Sequence, residues 1–222
     1  MRLALRRPKT AIAEAYRRAR PPYPATPWRR ARFSAVDLET TGLDPNRDEI
    51  ISFASVPVDE GRVVVGGVRT AIVRPKRMPE AATIRIHGLR PADLVSAPTL
   101  ADAIEPLVES LTGRVVVAHS AWVERAFLGA ALQGVGLRLA EPVLDTAGLA
   151  SHLFGASAGG EEHSLELSDT ARRLGLPVHR PHHADGDALT TAQLFIAVAA
   201  HLDRAEPQTI GSLARLSQHV TR

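Results

Sequence analysis

Hydrophobic and polar residues alternate along Phe33-Ser-Ala-Val-Asp-Leu-Glu-Thr-Thr-Gly-Leu43 with the period of two that marks a β-strand. The same signal predicts strands at Phe33–Leu38, Ile50–Val58 and Arg62–Val73, with Gly61 turning the chain between the last two and Gly66-Gly67 reading as a bulge. Met78–Ala97 shows no steady period and reads as a loop carrying Ile86-His-Gly-Leu89. Helical spacing covers Thr99–Leu111, with Pro106 an awkward interior residue expected to kink the helix or delay its start. The β-branched run Arg114–Ala118 predicts a buried strand, and Ala121–Gln133 a helix stopped by Gly134 and Gly136. A short strand at Pro142–Asp145 leads into a helix over Thr146–Phe154. Gly155–Glu162 is small, polar and flexible in composition. Leu165–Leu174, Ala184–Arg204 and Thr209–Val220 are the remaining helices. Three successive strands followed by alternating helices and strands imply an α/β fold: a mixed sheet, antiparallel and then parallel, flanked by helices.

Upstream, Thr10–Arg20 has the makings of a short basic helix. Pro21, Pro22, Pro24 and Pro27 then forbid regular pairing and predict an extended linker, pinned to the domain by Trp28. The expected organisation is a basic Pro-rich arm (1–31), a folded domain (32–205) and a C-terminal helix or tail (206–222).

Charge sharpens that division. Residues 1–32 hold ten Lys/Arg against one acid, Glu14, whereas the rest of the chain holds 17 basic and 23 acidic side chains. A basic arm on a mildly acidic body suits a phosphate-rich partner, although a solvated tail or an Arg-rich transit peptide has the same composition. With 222 residues and 45% hydrophobic content there is ample material for a core, built from aliphatic residues because aromatics are 4%. No cysteine is present, which excludes disulfides, thiolate metal sites and a cysteine nucleophile, and favours a reducing compartment. No run reaches the roughly 18 apolar residues of a membrane span, and no signal core follows Met1. The expectation is a soluble cytoplasmic protein.

The chemistry lies in the acids. Side chains at i and i+2 of a strand share a face, so Asp37 and Glu39 project together. Converging carboxylates repel unless a cation lies between them. His119 and Glu124 flank a strand-to-helix junction, and His182-His-Ala-Asp-Gly-Asp187 enters the long helix. Asp185 and Asp187 also suit a helix N-terminus through the dipole alone, and the Pro-His-His stretch alone suits a surface loop.

These segments, in this order and spacing, resemble the DEDDh 3′–5′ exonucleases, the ribonuclease H-like family that includes the epsilon proofreading subunit of bacterial replicative polymerases. The family's Asp-x-Glu-Thr-x-Gly is matched by Asp37, Glu39, Thr40, Thr41 and Gly42. Its middle motif, Ala-His-Asn-Ala-x-Phe-Asp, aligns with Ala118–Glu124, and its His-x-Ala-x-x-Asp-Ala with His182–Ala188. Ile86–Leu89 resembles its Asn/His-Gly-Ile turn. The likeness runs from about Phe33 to His201. Three departures fall in the middle motif: Glu124 for Asp, Ser120 for Asn and Val123 for Phe.

The resemblance implies a ribonuclease H-like sheet and a two-ion Mg²⁺ or Mn²⁺ site. Asp37 would bridge the ions, Glu39 and Asp187 would complete one site, and Glu124 would support the other. His182 would be the general base, and Thr40, Thr41, Gly42, Leu43 and His87 would meet the terminal nucleotide. The implied partner is a single-stranded 3′ end, DNA in preference to RNA, with a DNA polymerase as a further partner. The implied products are nucleoside 5′-monophosphates. An exoribonuclease on the same site, or a nucleic-acid-binding adaptor weakened by Glu124, are the alternatives. His183 is expected to face solvent, His119 to be structural, Asp145 to shape the sheet edge, and Trp122 to pack in the core or border the base pocket. Gln208–Leu213 faintly resembles a clamp-binding peptide but lacks its aromatic ending, so a closing amphipathic helix is the plainer reading.

Overall fold

The computed structural model describes residues 11–155 and 165–218. A mixed sheet forms its centre, in the order β3 (Arg62–Val63), β2 (Ile50–Asp59), β1 (Arg32–Thr40), β5 (Val115–Ala118), β6 (Val143–Asp145), with β4 (Arg69–Ile72) also paired to β2. β1 runs antiparallel to β2 and parallel to β5, and β5 runs parallel to β6. The expected switch from antiparallel to parallel pairing therefore falls at β1, the strand that carries the acids.

Helices cover both faces. One face holds α8 (Ala184–Ala205), with α6 (Thr146–Gly155), α7 (Leu167–Arg173) and α9 (Ile210–Ser217) around it. There Phe33, Ala35, Ala54 and Val56 pack against Leu194, Phe195 and Val198. On the other face, α4 (Leu100–Leu111) and α5 (Trp122–Gly134) cover Val36, Leu38 and Phe53. The two stripes of β1 thus have different fates. Phe33 and Ala35 lie beneath α8; two and four residues on, the same stripe becomes Asp37 and Glu39, where the α8 N-terminus arrives.

Three local expectations are corrected. Gly66-Gly67 is not a bulge: Val65–Gly67 forms a 3-10 turn that splits the expected third strand into β3 and β4. Met78–Ala97 is not simply a loop; it contains α2 (Ala81–His87) and α3 (Pro91–Leu94). Pro106 does not delay α4, which starts at Leu100 and runs through it. The expected flexible segment after Gly155 lies largely outside the described residues.

The chain ahead of the sheet lies against it. In α1 (Ala11–Arg18), Ala13 and Tyr16 are buried, and the Tyr16 hydroxyl donates to the Arg138 carbonyl at 2.9 Å. Trp28 is 1% exposed and meets Phe195 edge-on, with ring centroids 6.1 Å apart. Its neighbours pair with the start of α9 through Trp28 N–H to Gln208 O, Ile210 N–H to Thr26 O and Gly211 N–H to Pro24 O.

Candidate active site

Strand β1 ends in a bulge, with Glu39 opposite Ser52 but Thr40 opposite Ile50. A bulge at a strand end re-aims the chain, and here the chain leaves the sheet just after the second acid. Asp187, in the first turn of α8, comes down onto the same face. Carboxylate oxygens of Asp37, Glu39 and Asp187 all lie within 4.8 Å of one another. A hard divalent cation taking carboxylate oxygens at about 2.0–2.1 Å bridges such a spacing.

Glu124 completes the acidic group from the first turn of α5. It is 5% exposed, and its Oε2 is buried without a hydrogen-bond partner. A buried, unpaired acceptor is costly unless a cation or a bound water meets it. Proton affinities carry the same message. Burial raises Asp37 well above the usual carboxylate range, and the charges of Glu124, Glu39 and Asp187 push it further. Burial, then Asp187, lifts Glu39 to about 7. Burial lifts Glu124 to about 8, with Asp145 and Glu39 adding to the rise and a backbone N–H opposing it. Burial raises Asp187 too, countered by the His182 N–H bond and by His182 and His183. Each of these groups is costly to ionise until a cation neutralises it. The donor set fits a divalent-cation site.

Around the acids the backbone is held closely. His182 sits in the loop before α8 with φ 58°, its ring exposed, and its own N–H donates to Asp187 Oδ2 at 2.8 Å. The loop can approach because residue 186 is glycine; a Cβ there would collide with the carbonyl oxygens of His179 and Arg180. His183 is exposed, as expected, yet it walls a small cavity of about 210 Å³ together with Glu39 and His87. His87, buried in the last turn of α2, accepts the Leu89 N–H at Nδ1, so its proton resides on Nε2, which has no partner. Burial, and then His183, lower its pKa.

Residues 40–43 form an exit loop with an internal brace. Thr40 Oγ1 donates to Gly42 O at 2.6 Å, Thr41 Oγ1 donates to Asp48 Oδ1 at 3.1 Å, and Asp44 N–H donates to Asp48 Oδ2 at 3.0 Å. A Cβ on Gly42 would strike the Asp48 carboxylate. Thr83 of α2 donates to Thr41 O, which joins this loop to the His87 helix. Leu43 projects 63% exposed. Trp122 is 58% exposed at the start of α5, so it is not a core residue.

Asp48, Asp145 and Gly186 were not singled out for these roles from sequence. Asp145 holds the α5 entrance: its carboxylate accepts Ser120 N–H (2.9 Å), Ala121 N–H (3.0 Å) and Ala147 N–H (2.9 Å). It therefore ties β6 to the helix that bears Glu124, more than shaping a sheet edge. His119 joins Thr146 Oγ1 (2.8 Å) and Leu165 O (2.6 Å), a structural bridge of the expected kind.

Comparison with known proteins places this geometry in a family. A family model described as Exonuclease (RNase_T) matches residues 34–195. A DNA polymerase III subunit epsilon-like protein of Rhodobacter capsulatus is 34% identical over 85% of this chain, which spans only 26% of that relative. The DNA polymerase III subunit epsilon of Treponema pallidum is 31% identical over 76% of this chain and 77% of its own length. Among solved structures, exonuclease X in complex with 5′ overhanging duplex DNA superposes with a TM-score of 0.64 at 23% identity, covering 83% of this chain and 99% of that one. Exonuclease I of E. coli in complex with a dT13 oligonucleotide gives 0.67 at 16% identity, covering 78% and 42%. The structural likenesses show a shared ribonuclease H-like fold. On the family match and the Treponema relative, the chain belongs to the RNase_T exonuclease family.

Proposed function

We propose that this protein is a metal-dependent 3′–5′ exonuclease that releases nucleoside 5′-monophosphates from DNA 3′ ends. The observation that carries the reading is the gathering of Asp37, Glu39 and Asp187 beside the buried, unpartnered Oε2 of Glu124. In this reading Asp37, Glu39 and Asp187, with Glu124 in support, would hold the divalent ions, Mg²⁺ or Mn²⁺. Bound there, the ions would supply stabilisation of the attacking and leaving oxygens of an in-line displacement.

The protein's own groups do the rest. His182, exposed at the lip and tied by its backbone to Asp187, takes the proton from the attacking water. The Thr40–Leu43 loop and the His87 Nε2–H receive the terminal nucleotide. Glu124 lies near enough for its charge to help raise the Asp37 pKa, after burial, so the longer side chain still belongs to the acidic group.

DNA is favoured because the relatives carry DNA polymerase III names, and those names also make association with a polymerase part of the reading. The test uses 5′-labelled single-stranded DNA and RNA of one sequence, with Mg²⁺ or Mn²⁺ and with EDTA. A ladder shrinking from the 3′ end, requiring metal and running faster on DNA, is expected. A faster ladder on RNA would reassign the substrate. Binding without cleavage in either metal would leave the adaptor reading.

A further inference from the structure

The chain has two tryptophans, and they are placed in opposite ways. Trp28 is buried against Phe195, whereas Trp122 opens α5 with its indole in water. A large apolar ring kept exposed is unfavourable in proportion to its area, and it favours a partner that offers a flat face.

The position of Trp122 on the sheet indicates which partner that is. β1 and β5 run parallel, with Ala35 opposite Val117. Two residues past that pair, one chain reaches Asp37 and the other His119, so both leave by the same edge of the sheet. Trp122 follows three residues later. Asp145 accepts the N–H groups of Ser120 and Ala121, which fixes the backbone immediately ahead of the indole. Glu124 lies two residues along the helix, a separation of about 5.4 Å between Cα atoms and a turn of about 200°. Glu124 joins the acids, and the indole therefore stands outside them. Side chains lean toward the N-terminus of their helix, which tips the ring over the open edge.

The strand order separates two flanks. β2 and β4 lie on one side of β1, and β5 on the other. The 40–43 loop and His87 belong to the first flank: Thr83 of α2 reaches Thr41 O, and His87 walls a cavity with Ser52, Phe53 and Thr70. Trp122 belongs to the second, with the acids between.

We propose that Trp122 is a stacking platform for an unpaired base of the substrate strand, on the 5′ side of the terminal nucleotide. The inference rests on the exonuclease reading, in which the terminal nucleotide meets the 40–43 loop and His87 and its phosphodiester lies over the acids. The strand then leaves across the start of α5. A base suits this flank better than a phosphate does. Glu124 and Asp145 stand at the entrance of α5 and repel phosphate, while Arg125 is already paired with Glu141 at 3.2 Å. Stacking on an indole needs no cation and accepts any base. It does need a base free of a complementary strand, so Trp122 makes an unpaired 3′ end a better substrate than a blunt duplex.

Because Trp28 is buried, intrinsic fluorescence of the full-length protein reports Trp122 and reads binding apart from cleavage. The protein is titrated in Ca²⁺ with short single-stranded DNA, intact or abasic at the second or third nucleotide from the 3′ end. Quenching by the intact strand is expected, and Trp122→Ala should weaken its binding about tenfold, with Trp122→Phe restoring most of the loss. One of the abasic sites should cost the wild type about as much and cost Trp122→Ala little. No quenching, equal affinity of wild type and Trp122→Ala, or an abasic penalty undiminished in Trp122→Ala would each overturn the proposal. In Mn²⁺, Trp122→Ala should raise KM on single strands more than it lowers kcat, and should narrow the preference for single strands over blunt duplex; an unchanged preference would contradict the assigned role. If no metal supports a ladder while quenching and the abasic coupling hold, the exonuclease reading fails and the platform stands. A normal ladder with no effect of Trp122→Ala fails the platform alone.

Discussion

Glu124 is the residue that most separates this chain from the pattern it resembles, and its position lets the difference be tested. The side chain is buried with one oxygen unpaired, and its charge acts on Asp37. Glu124→Asp shortens it by one methylene and should keep activity within about tenfold, whereas Glu124→Gln, which loses the charge, should cost about a hundredfold, the upper range for groups that tune a metal site. Rates on single-stranded DNA at saturating Mn²⁺ decide it. His182→Ala should lower kcat by about 10²–10⁴-fold, the span of a general base.

The same carboxylates make stability depend on pH. Folded Glu39 and Glu124 hold their protons to about 7 and about 8, against a starting value of 4.5. Between pH 4.5 and 8 the folded state therefore binds more protons than the unfolded chain, and stability falls as pH rises through that window. In EDTA the Tm should decline from pH 6 to pH 8.5, Glu39→Gln with Glu124→Gln should flatten the decline, and Mn²⁺ should raise Tm most at the alkaline end. A flat profile in EDTA would refute the assigned cause. At this scale the sequence was highly legible, because a period of two puts Asp37 and Glu39 on one face. Asp48 and Asp145 were not, because their partners are backbone N–H groups and a hydroxyl, which leave no periodic signature.

Among the elements, the loop entering α8 does the most positioning. It carries His182 in the left-handed region and lies so close to the helix that Gly186 has no room for a Cβ. Gly186→Ala should push the His179–Arg180 backbone away, costing about 1–3 kcal/mol in chemical denaturation and lowering kcat more than it raises KM. A variant with wild-type kinetics would separate His182 from this close approach. The long helices and core strands were read correctly from periodicity. Helices α2 and α3 were missed because seven and four residues are too few turns to show a period. The 3-10 turn at Val65–Gly67 was mistaken for a bulge because paired glycines serve either purpose.

Across the whole molecule, the two ends of the described chain hold each other. Trp28 lies under Phe195 while residues 24–28 pair with the start of α9. Trp28→Ala should destabilise by about 3–5 kcal/mol, the cost of emptying a large aromatic site, read from urea unfolding with the m-value unchanged. A loss below about 1 kcal/mol would mean that these residues are a removable appendage. The prolines mark a stretch without helix or strand; its pairing with residues some 180 positions away leaves no sequence signal, because proline marks only where regular structure stops.

The central claim is that Asp37, Glu39, Asp187 and Glu124 form one metal-dependent hydrolytic site. The most direct measurement compares wild type with Asp37→Asn on 5′-labelled single-stranded DNA, with Mn²⁺ binding and Tm followed on the same samples. The account predicts that Asp37→Asn stays folded, loses Mn²⁺ binding, and slows release of the 3′-terminal nucleotide by about 10³-fold or more, the scale of removing a central electrostatic group from an active site. A folded Asp37→Asn protein that still shortens the DNA from its 3′ end at the wild-type rate would contradict it.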